Sequence, residues 1–214
     1  MKPWDSITPG INSRIVAAFG RLSLAMRSAS WKHATAEGLT PTQAEILVLL
    51  SARGEAIRLS TVAEQLGVTS ATASDAVAAL ASKALITKEP ALDDRRALAI
   101  KLTRSGAQLS KHVGDSNQFI LTALQTFSDT ERVSLFKTLV RLIGELQASG
   151  DIPALRMCIT CKHFEPNRHA SPTAPHHCHL VGKPLPISFM RVDCAEHKEA
   201  SALEQQRNRA TFAL

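Results

Sequence analysis

The sequence predicts a mainly α-helical protein with one small β-hairpin, followed by a C-terminal segment of different character. Three observations carry this expectation. Apolar residues recur at steps of three and four over much of the first 150 positions, the period of a helix with one buried face. Two β-prone runs, LITKEP and ALAIKLT, flank a charged tip, LDDRR. All four cysteines lie between positions 158 and 194, in a stretch where Pro and His gather and the helical period stops. With 214 residues the chain is long enough for one large or two small domains, since one core serves about 100 to 200 residues. Aromatics make up 4% and tyrosine is absent, so the core must come from Ala, Leu, Val and Ile, which favour helices.

The elements follow in order. Ile11, Ile15, Phe19, Leu22 and Met26 mark one face of a long helix that ends near Gly38. Thr40, Pro41, Thr42 and Gln43 read as a capping box opening the next helix, which runs to about Ala52. Ser60 is expected to cap a short helix, TVAEQL, which Gly67 ends with a residue tolerant of left-handed backbone. Thr69 or Ser70 then caps TSATASDAVAALASKALI. Two short helices around a tight Gly-containing turn are the skeleton of a helix-turn-helix, and the hairpin after them reads as a wing. Helical stretches follow near 104–126 and from Ser128, where Ser128 to Glu131 forms a second capping box before Phe136, Leu139, Val140, Ile143 and Leu146. Gly150 and Pro153 close that helix. The expected division is 1–150 and 151–214, with a polar, helical tail after Ala195.

Net charge is +6, and residues 83 to 111 hold seven Lys or Arg against three Asp or Glu. That excess suits a polyanionic partner. In the helix from Thr69, the residues Ala73, Ala76, Val77, Leu80 and Ala84 are expected to pack inward, leaving small and polar residues outward. Such a face enters a major groove deeply, its N-terminal third nearest the bases. Ser70, Thr72, Ser74 and Asp75 are the candidate readers, and without Arg, Asn or Gln among them direct base readout is thin. Arg95 and Arg96 at the wing tip, held by Asp93 and Asp94 and backed by Lys88 and Lys101, are the candidate grips on phosphate and minor groove.

The runs LTPTQAEILVLL, LSTVAEQLGVTSATASDAVAALASKALI and DDRRALAIKLTRSG resemble the MarR family of winged-helix regulators over residues 11 to 148. The phrases LTxxQ, DRR and LTxxG occur here in the family's order. The resemblance implies a homodimer, held by the first and last helices of this region, on a pseudo-palindromic operator in double-stranded DNA. It places Ser70, Thr72 and Ser74 on the recognition helix and Asp94 and Arg96 at the wing's D-x-R. LDDRR departs from the more usual Asp-Pro lead-in. The family's small phenolic ligands sit between its dimerisation and DNA-binding parts; with few aromatics, no residue of this sequence marks such a pocket.

Cys158, Cys161, Cys178 and Cys194 form the pattern C-x2-C-x16-C-x15-C. Two thiolates two residues apart chelate one centre from a single turn, and two more complete a tetrahedral set. The expectation is a four-cysteine metal site that lets a Pro-rich segment fold without an apolar core of its own. Its spacing is similar to that of the high-potential iron–sulfur proteins, which hold a [4Fe-4S] cluster with C-x2-C-x16-C-x13-C. CITCKHF, CHLVGK and VDC fill the corresponding places, while the last spacing is two residues longer and the Gly and Trp near the fourth cysteine are absent. That resemblance implies an iron–sulfur cluster, with zinc as the alternative. Phe164, Leu180, Val181, Ile187, Phe189 and Met190 are the residues expected to shield it. His163, His176, His177, His179 and His197 surround the cysteines and are not assigned to the metal.

No secretory signal and no apolar run of about 18 residues is present, so a cytoplasmic protein without a membrane partner is expected. No nucleophile elbow or paired acids appear, which argues against an enzyme. The combined expectation is a winged-helix regulator whose DNA binding is controlled by a cysteine-ligated cluster sensing redox state, nitric oxide or iron. The alternatives are a regulator with structural zinc, or an electron-transfer component that uses the helix-turn-helix for docking.

Overall fold

The structure is a computed structural model and describes residues 9–91 and 97–213. The chain divides into two compact units, Met1–Leu121 and Thr122–Leu214.

In the first unit, helix α1 (Ile11–Ala36) precedes α2 (Pro41–Arg53). The start of α2 is a complete capping box: Gln43 N donates to Thr40 Oγ1 at 3.3 Å and Thr40 N donates to Gln43 Oε1 at 3.3 Å. Strand β1 (Ile57–Arg58) leads into α3 (Leu59–Leu66). Ser60 lies inside α3 rather than capping it; the N-cap is Arg58, because pairing of β1 fixes extended backbone up to that residue. Gly67 ends α3 at φ +62°. Helix α4 (Ser70–Ser82) is capped by Thr69, whose hydroxyl accepts from Thr72 N at 3.1 Å.

Helix α4 ends earlier than its apolar pattern suggests. Ala84, expected on the buried face, is exposed and left-handed at φ +54°, where Leu85 N donates to Leu80 O and closes the helix. Strands β2 (Ile86–Pro90) and β3 (Leu98–Leu102) form the wing, and β1 pairs with β3 to make the sheet order β1-β3-β2. Helix α5 (Arg104–Gly114) is followed by a 3-10 turn at 115–117 and by α6 (Gln118–Leu124), so the stretch 104–126 is not one helix. The core of this unit joins Ile46, Leu47, Leu50, Val62, Val77, Leu80 and Ile100, all aliphatic. Helix α1 contributes only Ala34 among its buried residues, while Ile11, Ile15, Phe19, Leu22 and Met26 are exposed.

In the second unit, α7 (Asp129–Ser149) opens on the Ser128–Glu131 capping box and stops at Gly150, φ +82°. The sequence pattern assigns α7 to the first domain, yet it groups with the cysteine-bearing segment. The reason is its buried face: Val140, Phe136 and Ile143 pack with Met157, Ile159, Phe164, Met190 and Phe212. A β-carbon on Gly144 would meet Ile159 Cδ1 at 2.5 Å, so glycine permits this close approach. The segment therefore has an apolar core, contrary to expectation. A three-stranded sheet of β4 (Phe164–Glu165), β5 (His176–Cys178) and β6 (Lys183–Leu185) follows, and α8 (Ala202–Ala213) ends the chain. Phe212 and Asn208 of α8 are each 1% exposed, so this polar tail supplies part of the core.

Candidate DNA interface and cysteine site

Two sequence phrases of the first unit, LTPTQ and LTRSG, perform structural tasks. In LTPTQ, Gln43 Oε1 also accepts from Lys83 Nζ at 3.3 Å, and Lys83 donates to Gly38 O at 2.6 Å, which ties α2 to the end of α4. In LTRSG, Thr103 caps α5 by accepting from Gly106 N at 3.1 Å and donates to Ala84 O at 2.8 Å. Together these contacts fix α4 against the wing.

Helix α4 presents the expected face. Ala73, Ala76, Val77 and Leu80 are buried, and Ser70, Thr72, Ser74 and Asp75 are exposed. Thr72 has a second role, since its Oγ1 lies 2.9 Å from Thr69 Oγ1 and its amide completes the cap. In the wing, Lys88 is cross-strand to Ile100 and Lys101 to Thr87. Side chains alternate along a strand, so Lys88 and Lys101 stand on opposite faces of the ribbon. Both are exposed. Asp93, Asp94, Arg95 and Arg96 lie outside the described residues.

An apolar cavity of about 810 Å³ opens beside α1 and α2, lined by Phe19, Leu22, Met26, Val48, Leu49 and Val113. No aromatic signal marked it because its wall is mostly aliphatic.

In the second unit, backbone pairing brings the cysteines together. Cys158 N donates to Arg191 O, and Cys194 N donates to Arg156 O, each at 3.0 Å, so residues 156–158 and 191–194 run side by side. The C-x2-C turn closes with Cys161 N donating to Cys158 O at 3.0 Å. Cys178 is the cross-strand partner of Phe164, three residues beyond Cys161. Cys161 is buried and the other three are half-buried thiols. Burial pushes the Cys158 thiol up to about 11; the Arg191 amide opposes this, and the neighbouring Cys194, Cys161 and Cys178 push the same way.

Among the described residues, no group of three or more His, Cys, Asp or Glu side chains stands in an arrangement that holds a metal ion. The side chains of the four expected ligands thus do not stand in metal-holding geometry, and each cysteine is fixed by its own backbone ties. The shielding differs from expectation as well. Phe164 and Met190 are buried, but Leu180 and Val181 in the turn between β5 and β6 are exposed, as is Phe189 at the end of a 3-10 turn.

The histidines have partners of their own. His176 is 1% exposed between Phe164 and Phe212, and its Nδ1 accepts from Asn167 N at 3.1 Å. His169 Nε2 and His177 Nδ1 are 3.0 Å apart, and His179 Nε2 lies 2.8 Å from Glu165 Oε2. His197 Nε2 meets Thr160 Oγ1 at 3.1 Å.

Residues 39–98 match the model of the MarR family. The matched segment runs from just before α2 to the first residue of β3 and so includes the helix-turn-helix and β2 of the wing. S. aureus MepR in its DNA-binding conformation superposes with a TM-score of 0.55 at 22% identity, covering 62% of this chain and 98% of that one. The S. aureus MepR–DNA complex gives 0.53 at 22% identity, covering 61% and 97%. A MepR mutant from a multidrug-resistant S. aureus clinical isolate gives 0.53 at 22% identity, covering 62% and 96%. These similarities show a MarR-like winged-helix fold: mostly helical, with small antiparallel sheets. No curated protein matches the chain. No described helix is long and apolar enough to cross a membrane.

Proposed function

We propose that this chain is a cytoplasmic, DNA-binding transcription regulator of MarR type, acting as a homodimer on a pseudo-palindromic operator. The observation that carries this reading is α4, whose exposed N-terminal face is small and polar and which Gln43, Lys83 and Thr103 hold beside the wing. The match of residues 39–98 to the MarR model and the DNA-bound MepR relative support it. The reading assigns no catalytic reaction to the chain.

The exposed Ile11, Ile15, Phe19, Leu22 and Met26 on one face of α1 support a second copy as the partner of that helix. In such a dimer the two α4 helices address half-sites about 34 Å apart.

The second part of the proposal assigns Cys158, Cys161, Cys178 and Cys194 to one centre that controls operator binding. Its support is the paired backbone of 156–158 and 191–194 together with the effect of Cys194, Cys161 and Cys178 on the Cys158 thiol. Burial holds the Cys158 thiol against ionisation, and a bound cation would remove that penalty. Cysteine spacing favours an iron–sulfur cluster, [4Fe-4S], responding to redox state, nitric oxide or iron supply; zinc is the alternative.

Two measurements test the parts separately. Retention on duplex DNA should weaken steeply with salt, and salt-independent retention overturns DNA binding. Anaerobically purified protein should be brown and contain iron and acid-labile sulfide. Stoichiometric zinc without sulfide replaces the sensor with a structural site, and the absence of both metals removes the centre.

A further inference from the structure

We propose that Ser105 is a positioning residue for DNA binding, holding the joint between α4 and the wing at one angle; the inference rests on the DNA-binding reading above. The joint is Ala84, which lies between the end of α4 and the start of β2. Among the described residues only Ala84 and Asn167 are non-glycines with positive φ, and Ala84 stands at +54°. The other left-handed points of this unit, Gly38, Gly54 and Gly67, are glycines. Left-handed backbone costs a residue with a β-carbon free energy that glycine escapes, but the β-carbon also closes conformations that glycine leaves open. Alanine therefore makes a stiffer joint than glycine at the same place.

The carbonyl of Ala84 is held from α5. Thr103 Oγ1 donates to it at 2.8 Å and Ser105 Oγ donates to it at 3.1 Å, with the two hydroxyl oxygens 2.9 Å apart. Just before the joint, Lys83 Nζ donates to Gly38 O and to Gln43 Oε1. Just after it, Leu85 O accepts from Thr103 N at 3.1 Å. Thr103 has a further duty as the cap of α5, accepting from Gly106 N. Ser105 is exposed and is not the cap, so its hydroxyl serves the joint rather than the helix.

Two surfaces, the outer face of α4 and the strands of the wing, must meet one duplex together. A joint set before binding leaves little to be ordered on the DNA, whereas a loose joint adds that ordering cost to association. Loosening removes no cation. The number of phosphates neutralised therefore stays the same while affinity falls at every salt concentration.

The test uses the full-length protein and a labelled duplex that the parent protein selects from a random-sequence pool. Ser105→Ala should weaken binding about 3- to 10-fold, the range that one lost hydrogen bond gives, with an unchanged slope of log K against log salt. Ser105→Thr keeps a hydroxyl and should bind like the parent protein. Ala84→Gly should also weaken binding, while its thermal unfolding stays level or rises because the left-handed strain is gone. A merely structural role would lower both together, and that outcome for Ala84→Gly overturns the inference. Parent-like binding by Ser105→Ala overturns it as well. Weak binding by Ser105→Ala beside parent-like binding by Ala84→Gly would make Ser105 a direct DNA contact, which also overturns it. If the parent protein selects no duplex, the DNA-binding reading fails and this inference falls with it.

Discussion

A β-carbon built on Gly106 would stand 1.9 Å from the carbonyl oxygen of Leu85. Helix α5 therefore crosses the start of the wing at a distance that only glycine allows. Gly106→Ala should cost about 2 to 4 kcal/mol, because the obstacle is backbone and cannot rotate away. Thermal unfolding should shift down by roughly 5 to 15 °C. An unchanged transition would mean that α5 does not pack there.

The capping box of α2 gives a smaller effect. Thr40→Ala removes the acceptor for Gln43 N and should cost about 1 kcal/mol. Gln43→Ala should cost more than Thr40→Ala, because it also removes the acceptor of Lys83 Nζ and loosens α4. Denaturant midpoints of the two variants give the order.

For DNA, the opposite facing of Lys88 and Lys101 makes a sharp expectation. One of the alanine substitutions should lower the slope of log K against log salt by about 1, and the other should leave it nearly unchanged. Titrations of Lys88→Ala and Lys101→Ala at several salt concentrations decide it. Equal losses would contradict a single DNA-facing side of the ribbon.

The pH dependence of stability should carry a histidine signature. Burial, with a smaller contribution from the Lys137 charge, pushes His176 down to about 4 from an ordinary value of 6.5. The folded chain keeps this ring neutral, whereas the unfolded chain takes up a proton below about pH 6.5. This stability is fully present above about pH 6.5 and is lost as pH falls toward 4. Unfolding temperatures measured from pH 7 to pH 4 should fall less for His176→Gln, which keeps an acceptor near Asn167 N.

The first unit was largely legible because its signals are local. The capping box at Thr40, the stop at Gly67 and the period of α4 are set within a few residues of one another, and the observed caps at Thr40 and Thr69 follow from them, as does the Ser128 cap in the second unit. What escaped depended on distant partners. Ser60 reads as a cap until β1 pairs with β3, and Ala84 fits the helical stripe until the chain must turn toward β2. In the second unit the cysteine spacing was visible, but the core was not. Val140 and Phe212 lie 72 positions apart and meet through tertiary packing, which no local pattern records. The hydrogen bond from Arg191 N to Cys158 Sγ was hidden for the same reason, since the two residues are far apart in sequence.

Helix α7 is the backbone of the second unit's core. One of its faces builds the floor on which the sulfur-bearing strands rest, with Gly144 set against Ile159. Under the proposed dimer, the same rod also belongs to the last helix through which two copies grip each other. In such a dimer, any softening of that floor would be felt in the grip.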